Sequence, residues 1–435
     1  MTASVAVLGA GPAGLMAAWR AASAGHRVVV HERAQHVGGM AASFDVGGVR
    51  VDHGSHRLHP STEPELLAAV QGLLGGRLQW RPRNGRIRLE GRWVGFPLRA
   101  SDLVRSLPAS FALSAARDAV LAPLRRAHGD TFAEVVRVGL GPTMLHRFYG
   151  PYARKLWGLA PEDLAGEQAR RRVGTATAGA VLRRLRRERP GFWYPEGGFG
   201  EIVDALAAAA VDAGAELRLG SEVTSLDGLD ADHVWSTIPL TSLARLAGHD
   251  PGLLAFRALV LVYVVVGRAP WTSFDAHYLP GPETPVSRVS EPRNYRASAA
   301  DPSDRTVLCA EIPCTVGDAT WTASDDDLGA LVARDLVAAG LPAAEPLAVT
   351  TRRLPAAYPI YGRWFEPALA ALDAWAEDLP RVVTFGRGGL FAHDNTHHAL
   401  AMGWAAADAL RPDGSWDAVS WAAARARFRT HVVED

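Results

Sequence analysis

The sequence predicts an α/β protein: a Rossmann-type dinucleotide-binding domain that is discontinuous along the chain, a mainly helical insertion, and a substrate domain built on a mixed sheet. Three observations predict it. An apolar run at 4–8 leads into Gly9-Ala10-Gly11-Pro12-Ala13-Gly14, which opens an Ala-rich helical stretch at 12–24 and is followed by a Val-rich run at 27–31 ending at Glu32. That is a strand, a helix and a strand in about 30 residues, the size of a βαβ unit. A second nucleotide-type unit closes the chain, with a strand at 381–385, a turn at 386–395 and a helix at 396–410. Between the two, apolar alternation at 258–266, 306–312 and 347–353 predicts a sheet outside the nucleotide-binding core.

In the first unit Gly9 allows the tight turn, Gly11 lets the backbone approach a pyrophosphate, and Gly14 lets helix and strand pack closely. Pro12 and Ala13 start the helix, whose free N–H groups and positive dipole end favour phosphate. Glu32, 18 residues beyond Gly14, can accept from a ribose and disfavours a 2′-phosphate. Residues 63–74 then read as an amphipathic helix, and 86–89 with 93–96 as a strand pair turning at Glu90-Gly91. The pattern is mainly helical over 101–189, until Gly191-Phe192-Trp193-Tyr194-Pro195-Glu196-Gly197-Gly198 breaks the helices. A helix is expected at 201–215, a strand-pair region at 216–225 and a strand at 233–237. The resulting boundaries are 1–75, 195–250 and 375–435 for the dinucleotide-binding domain, 76–194 for the helical insertion and 251–374 for the substrate-domain sheet.

With 435 residues, 48 % apolar and 21 % charged, the chain can bury a large core and has none of the signatures of disorder or of a disulfide scaffold. Its 46 acidic residues balance its 46 basic ones, which argues against nucleic acid as a partner. No apolar run approaches the ~20 residues that span a bilayer. The first apolar stretch lacks a basic leader and a cleavage site, so a cytoplasmic protein is expected. Cys309 and Cys314, the only cysteines, read as buried strand or loop residues. Lys155 is the single Lys among the 46 basic residues, the rest being Arg, as GC-rich coding favours.

Arg33 and the pair Gly38-Gly39 extend Glu32 into E-R-x-x-x-x-G-G. This resembles the second signature of the FAD-dependent superfamily that contains amine oxidases, protoporphyrinogen oxidases and UDP-galactopyranose mutases. The resemblance implies FAD as cofactor, with Arg33 near the adenosine and Gly38, Gly39 and Met40 close to the diphosphate. It also places the backbone of Val223, read as part of a strand, against the adenine. Gly386-Arg387-Gly388-Gly389 and the helix after it resemble the segment that closes over the flavin. Asn395 and Thr396 then form a helix N-terminus suited to negative charge on the reduced ring.

Within that superfamily Gly54-Ser55-His56-Arg57-Leu58-His59 resembles the G-x-H-x-x-H loop of the mutases, and Tyr152-Ala153-Arg154-Lys155-Leu156-Trp157-Gly158 their Y-x-x-K-x-W-G segment. Ser287-Arg288-Val289-Ser290-Glu291 is similar to T-R-x-x-E, and Ala357-Tyr358-Pro359-Ile360 matches a further segment. The resemblance implies that His56 and Arg387 act at the flavin, His56 assisting proton movement. Arg288, Tyr358 and Arg387 would hold a substrate diphosphate, with Lys155 and Trp157 bordering the substrate. His393 stands where the mutases carry a Tyr and would contact phosphate or flavin. Plain alternatives exist: Trp157 as core, and Arg288 with Glu291 as a structural pair at a strand end. His393 and His397 have a metal-type i, i+4 spacing, but no third ligand is signalled and no metal is expected. The mutases' mobile-loop Arg has no unique counterpart among the arginines at 170–172 and 183–189.

Two enzymatic readings follow from the resemblance. In the first, the chain is a nucleotide-sugar pyranose/furanose mutase in which reduced flavin N5 attacks the anomeric carbon, with NAD(P)H or another reductant as partner. In the second it is an oxidase or dehydrogenase of the amine oxidase or protoporphyrinogen oxidase type, passing hydride from a small molecule to N5. A non-catalytic FAD protein is disfavoured because the His56, Trp157 and Arg387 motifs all converge on the flavin.

Overall fold

The structure is a computed structural model that describes residues 2–96, 106–173 and 191–433. Its nucleotide-binding sheet consists of β1 (Ser4–Leu8), β2 (Arg27–Glu32), β9 (Glu216–Leu219), β10 (His233–Ser236) and β16 (Val382–Thr384). All pairings are parallel, in the order β16-β10-β1-β2-β9, so the last strand of the chain joins the first in one sheet. The helix α1 (Pro12–Ser23) buries Leu15, Met16 and a row of alanines beneath the helices Glu201–Asp212 and Thr396–Ala409. Contact with the latter is close enough that a Cβ on Gly403 would lie 2.2 Å from the Ala13 carbonyl oxygen. The C-terminal unit is thereby seated on the glycine loop.

The second sheet is seven-stranded: β6 (Gly85–Leu89), β7 (Arg92–Phe96), β11 (Phe256–Val266), β12 (Ala276–Tyr278), β13 (Arg288–Ser290), β14 (Thr306–Cys314) and β15 (Pro346–Pro359), ordered β15-β11-β14-β13-β12-β6-β7. Neighbours are antiparallel except β12 and β6. β11 is apolar throughout because both faces are covered. Val260, Val262 and Val264 pack on Leu328, Val332 and Leu336 of the helix Asp325–Ala338. Leu261, Tyr263 and Val265 meet Val46, Val49 and Val51 of the hairpin β3 (Ser43–Val46) and β4 (Val49–Asp52). Each such burial contributes about 1.5–3 kcal/mol. Both cysteines are buried in β14.

Three expectations meet a different geometry. The motif at 191–198 begins with a strand, β8 (Gly191–Pro195), paired antiparallel with β5 (Leu78–Pro82), because Phe192 and Tyr194 alternate inward while Trp193 meets Trp80 edge-on at 5.1 Å. The stretch 76–194 thus supplies strands of two sheets as well as helices. Residues 216–225 hold one strand rather than a pair: β9 ends at Leu219, before Gly220 at φ 63°, where its neighbour β2 also ends. Val223 therefore lies beyond the strand, packed with Leu8 and Val234. Of the helical stretch at 101–189, the helices Phe132–Gly139, Gly150–Trp157 and Gly166–Val173 enclose a small core of Phe132, Val136, Ala153, Trp157 and Leu164. The arginines at 183–189 lie outside the described residues. Among the described residues no helix is long and apolar enough to cross a membrane.

Candidate active site

The glycine loop joins β1 to α1 and is held from both sides. Gly9 N–H donates to the His31 carbonyl (2.9 Å) and Gly38 N–H to the Ala10 carbonyl (2.7 Å), which lays the Gly38-Gly39 turn on the loop. Gly9 and Gly38 have φ of 100° and 104°, the region that favours glycine. Glu32 Oε2 accepts from Ala10 N–H and Oε1 from Ala34 N–H, both at 2.9 Å, which fixes its carboxylate at the loop's edge. No side chain caps α1, and nothing lies within 4 Å of a Cβ built on Gly11. An open backbone face at an uncapped helix N-terminus, with a carboxylate beside it, fits the pyrophosphate and ribose of FAD. Pro12, Ala13 and Gly14 form the first turn of α1, where Ala13 and Gly14 are buried; Met40 follows the Gly38-Gly39 turn and is half-buried, and Arg33 is exposed. Gly386, at φ 78°, comes within 3.0 Å of the Ala13 side chain when given a Cβ. Asn395 caps the helix Thr396–Ala409 through a capping box with His398.

The loop after β4 carries His53, His56 and Arg57. It is anchored by Asp52, which accepts from Ser43 Oγ (2.6 Å), Phe199 N–H (2.9 Å) and the Tyr194 hydroxyl, while the Asp52 carbonyl accepts from Tyr263 Oη (2.6 Å). His56 stacks on Phe199 at 5.3 Å and its Nε2 lies 3.0 Å from the His53 carbonyl. Burial lowers its pKa. Burial likewise brings His53 down to about 4, against the opposing bond to the Gly39 carbonyl. Both imidazoles are neutral near pH 7.

Beside this loop lies a set of charges that the seven-stranded sheet brings together. Arg288 donates to both oxygens of Glu311 at 2.7–2.9 Å, and Glu311 Oε1 also accepts from Ser55 N–H at 3.1 Å. Arg288 and Glu311 are direct partners across β13 and β14. Glu291, three positions on, points to the opposite side, where it accepts from the Trp271 and Thr272 amides. The pair expected between Arg288 and Glu291 is therefore replaced by one with Glu311. Arg57 meets Asp275 at 3.3 Å and the Tyr295 hydroxyl at 3.3 Å. On the far side of Tyr358, whose hydroxyl pKa is raised by burial and then by Glu311, two guanidiniums approach the ring: Arg172 at 5.4 Å and Arg387 at 5.6 Å. Arg387 donates to the Ala357 carbonyl (2.7 Å), but its Nε and that of Arg172 are out of solvent with no acceptor. Burial, and then repulsion by Arg172, lowers the Arg387 pKa.

His393 is buried next to these arginines. Its Nε2 meets the Gln168 amide at 3.0–3.2 Å, and burial followed by Arg172 and Arg387 holds its pKa well below the usual range. His56, Arg288, Tyr358, Arg387 and His393 are thus gathered into one region. Trp157 touches it only edge-on, 6.5 Å from His393, and is otherwise packed against Phe132. Lys155 is directed elsewhere. Its Nζ donates to the carbonyls of Leu279 and Val286, tying a helix to the loop between β12 and β13, and burial lowers its pKa to about 8. Arg offers a wide planar fork in place of that compact ammonium. Lys155→Arg is expected to destabilise the protein by roughly 1–3 kcal/mol in urea unfolding, and an unchanged midpoint would remove this role.

Sequence reasoning assigned no role to Asp52, Arg57, Asp275, Tyr295 or Glu311, and gave Arg172 none that set it apart from its neighbouring arginines. Asp52 and Arg57 alone carried a local signal, Asp52 standing directly before the His53-Gly54 turn and Arg57 lying within the Gly54–His59 motif.

A family model for flavin containing amine oxidoreductases matches residues 12–411. Among curated proteins, phytoene dehydrogenase of Streptomyces griseus is 30 % identical over 254 residues, covering 51 % of this chain and 49 % of that protein, so the match spans about half the length of each. Among solved structures, reduced UDP-galactopyranose mutase has a TM-score of 0.82 at 20 % identity, with 100 % of both chains covered. A protein from Exiguobacterium sp. assigned as a protoporphyrinogen oxidase reaches 0.72 at 17 % identity, over 94 % of this chain and 98 % of that one. Putrescine oxidase bound to putrescine reaches 0.64 at 18 % identity, with the same coverage. At these identities the structural likenesses speak to the fold.

Proposed function

The chain belongs to the flavin-containing amine oxidoreductase family and is FAD-dependent, and from that premise we propose that it is a nucleotide-sugar pyranose/furanose mutase. The observation that carries this reading is the convergence of Arg172 and Arg387 on Tyr358, each with a buried Nε–H that has no acceptor and no carboxylate partner among the described residues. Of the carboxylates nearby, Glu311 is engaged by Arg288 and Asp275 by Arg57, while Asp394 acts on Arg387 only through its charge and makes no hydrogen bond to it. Two guanidiniums whose buried Nε–H groups lack acceptors favour an anionic substrate, and a diphosphate offers the charged acceptors they need. An amine substrate would be repelled, and a hydrocarbon would leave both guanidiniums unsatisfied. FAD, when bound, supplies a nucleophilic N5 in its reduced form and a hydride acceptor in its oxidised form. The protein's part is to orient: Arg172, Arg387 and Tyr358 hold the diphosphate, and neutral His56 accepts or relays a proton. The family model and the curated relative support a second reading, an oxidase or dehydrogenase that passes hydride to the flavin.

Anaerobic incubation of reduced and oxidised enzyme with UDP- and dTDP-hexoses separates the two. Ring isomers formed only by reduced enzyme are expected; turnover by oxidised enzyme with peroxide release and no isomer would overturn the mutase reading. Arg387→Ala is expected to lose activity while retaining fold and FAD, since a charged hydrogen bond is worth about 1.5–3 kcal/mol.

A further inference from the structure

A buried carboxylate stands between two imidazoles where the C-terminal tail meets the flavin-side helix. The Asp394 side chain is 0 % exposed, and neither oxygen accepts a hydrogen bond. Its Oδ1 lies 3.5 Å from His398 Nδ1, in the first turn of the helix Thr396–Ala409, and 3.5 Å from His431 Nδ1, just beyond the helix Ala418–Phe428. His431 Nδ1 is likewise buried without a hydrogen-bond partner. The three residues offer ligand atoms that all lie within 4.8 Å of one another. A separation of 3.5 Å is long for a hydrogen bond. The two nitrogen-to-oxygen separations are close to the edge of about 3.4 Å expected around a tetrahedral ion with bonds near 2.1 Å, whereas the two imidazoles stack with centroids 4.1 Å apart and planes 14° apart, so one ring has to turn before both lone pairs meet an ion.

We propose that Asp394, His398 and His431 bind one divalent cation of the zinc type. Two imidazoles and one carboxylate suit a borderline-soft ion, and three protein ligands leave a fourth position for water. His398 Nδ1 also accepts from Asn395 N–H at 3.3 Å, a long bond that ligation replaces; the Asn395 side chain continues to cap the helix from the other side of the capping box. The tail arrives at this point because Arg171 donates to the carbonyls of His431 (2.8 Å) and Arg429 (2.6 Å), while Val433 N–H donates to the Arg171 carbonyl (3.0 Å). The ion therefore fastens the tail to the helix end bearing Asn395 and Thr396, while Arg171 ties the tail to the helix bearing Arg172. Its role is structural, fixing the wall of the flavin site. The inference does not depend on the substrate and holds for either reading of the chemistry. It also differs from the i, i+4 pair His393 and His397, since His393 is engaged by Gln168.

The test uses untagged, FAD-loaded enzyme stripped with a chelator and titrated with Zn2+ by calorimetry and with Co2+ by absorbance at wavelengths beyond the flavin bands. The wild type is expected to take up one ion per chain, to show a Co2+ ligand-field band that Zn2+ displaces, and to melt at higher temperature with Zn2+. His431→Ala and Asp394→Asn are expected to lose the band. His431→Ala, in the tail, is expected to keep its FAD and its fold, so that loss of the ion is read apart from misfolding. Absence of stoichiometric uptake by the wild type, or a band that persists unchanged in His431→Ala, would overturn the site and leave a histidine–carboxylate ion pair only.

Discussion

Gly14→Ala is expected to yield a protein that folds poorly and purifies without FAD. A Cβ at this position would lie 2.1 Å from the Gly9 carbonyl oxygen and 3.2 Å from Val7 Cγ1, both fixed by the parallel sheet, so α1 must move away from the loop. Overpacking of this kind costs about 1–3 kcal/mol or more, and displacing the helix N-terminus also removes the donors aimed at the pyrophosphate. Gly11→Ala separates these two effects. Gly11 has φ −79°, ordinary for any residue, and its Cβ would enter open space. That variant is expected to keep the melting temperature of the apo-protein and to bind FAD at least about tenfold more weakly, because the methyl group occupies the approach of the phosphates. Flavin absorbance after gel filtration and apo-protein melting curves read the two outcomes. FAD affinity equal to wild type in Gly11→Ala would mean that the cofactor does not lie against this loop.

The glycine loop was legible in the sequence because its constraints are local. Gly14 answers to neighbours within one βαβ unit, Gly9 and Gly38 to their own positive φ, and Glu32 to the strand end, so residue type and spacing carry the geometry. β11 was legible for a similar reason, since burial on both faces leaves an unbroken apolar run. The substrate side is different. Glu311 becomes the partner of Arg288 through the register of β13 on β14, and nothing near Arg288 marks it. Arg172 reaches Tyr358 from a helix whose Gln168 meets His393, 225 residues away in the chain. Lys155, conspicuous as the only lysine, is occupied by two backbone carbonyls that no spacing rule connects to it. Pairing between distant segments is set by tertiary packing, and a one-dimensional motif records only the residue that is paired.

That dependence on register makes the Arg288–Glu311 pair the place where a single change should cost most. Glu311 is 2 % exposed in its side chain and Arg288 17 %, and the carboxylate accepts three hydrogen bonds from the guanidinium as well as the Ser55 amide that positions the His56 loop. Glu311→Ala leaves Arg288 buried without its counter-ion, close to Tyr278 and within the field of Arg57. The expected loss is about 3–5 kcal/mol, since removing one partner of a buried pair exposes the full desolvation cost of the other. The double variant Arg288→Met, Glu311→Leu removes both charges while keeping most of the volume, and it is expected to recover most of that stability because no unpaired charge remains. Denaturant unfolding of the wild type, both single variants and the double variant forms a complete cycle. A Glu311→Ala loss below about 1 kcal/mol would show that the pair is solvated. If the double variant regains stability but stays inactive, Arg288 is also needed by the chemistry; if it regains both, the pair serves only to set the register on which the site is built.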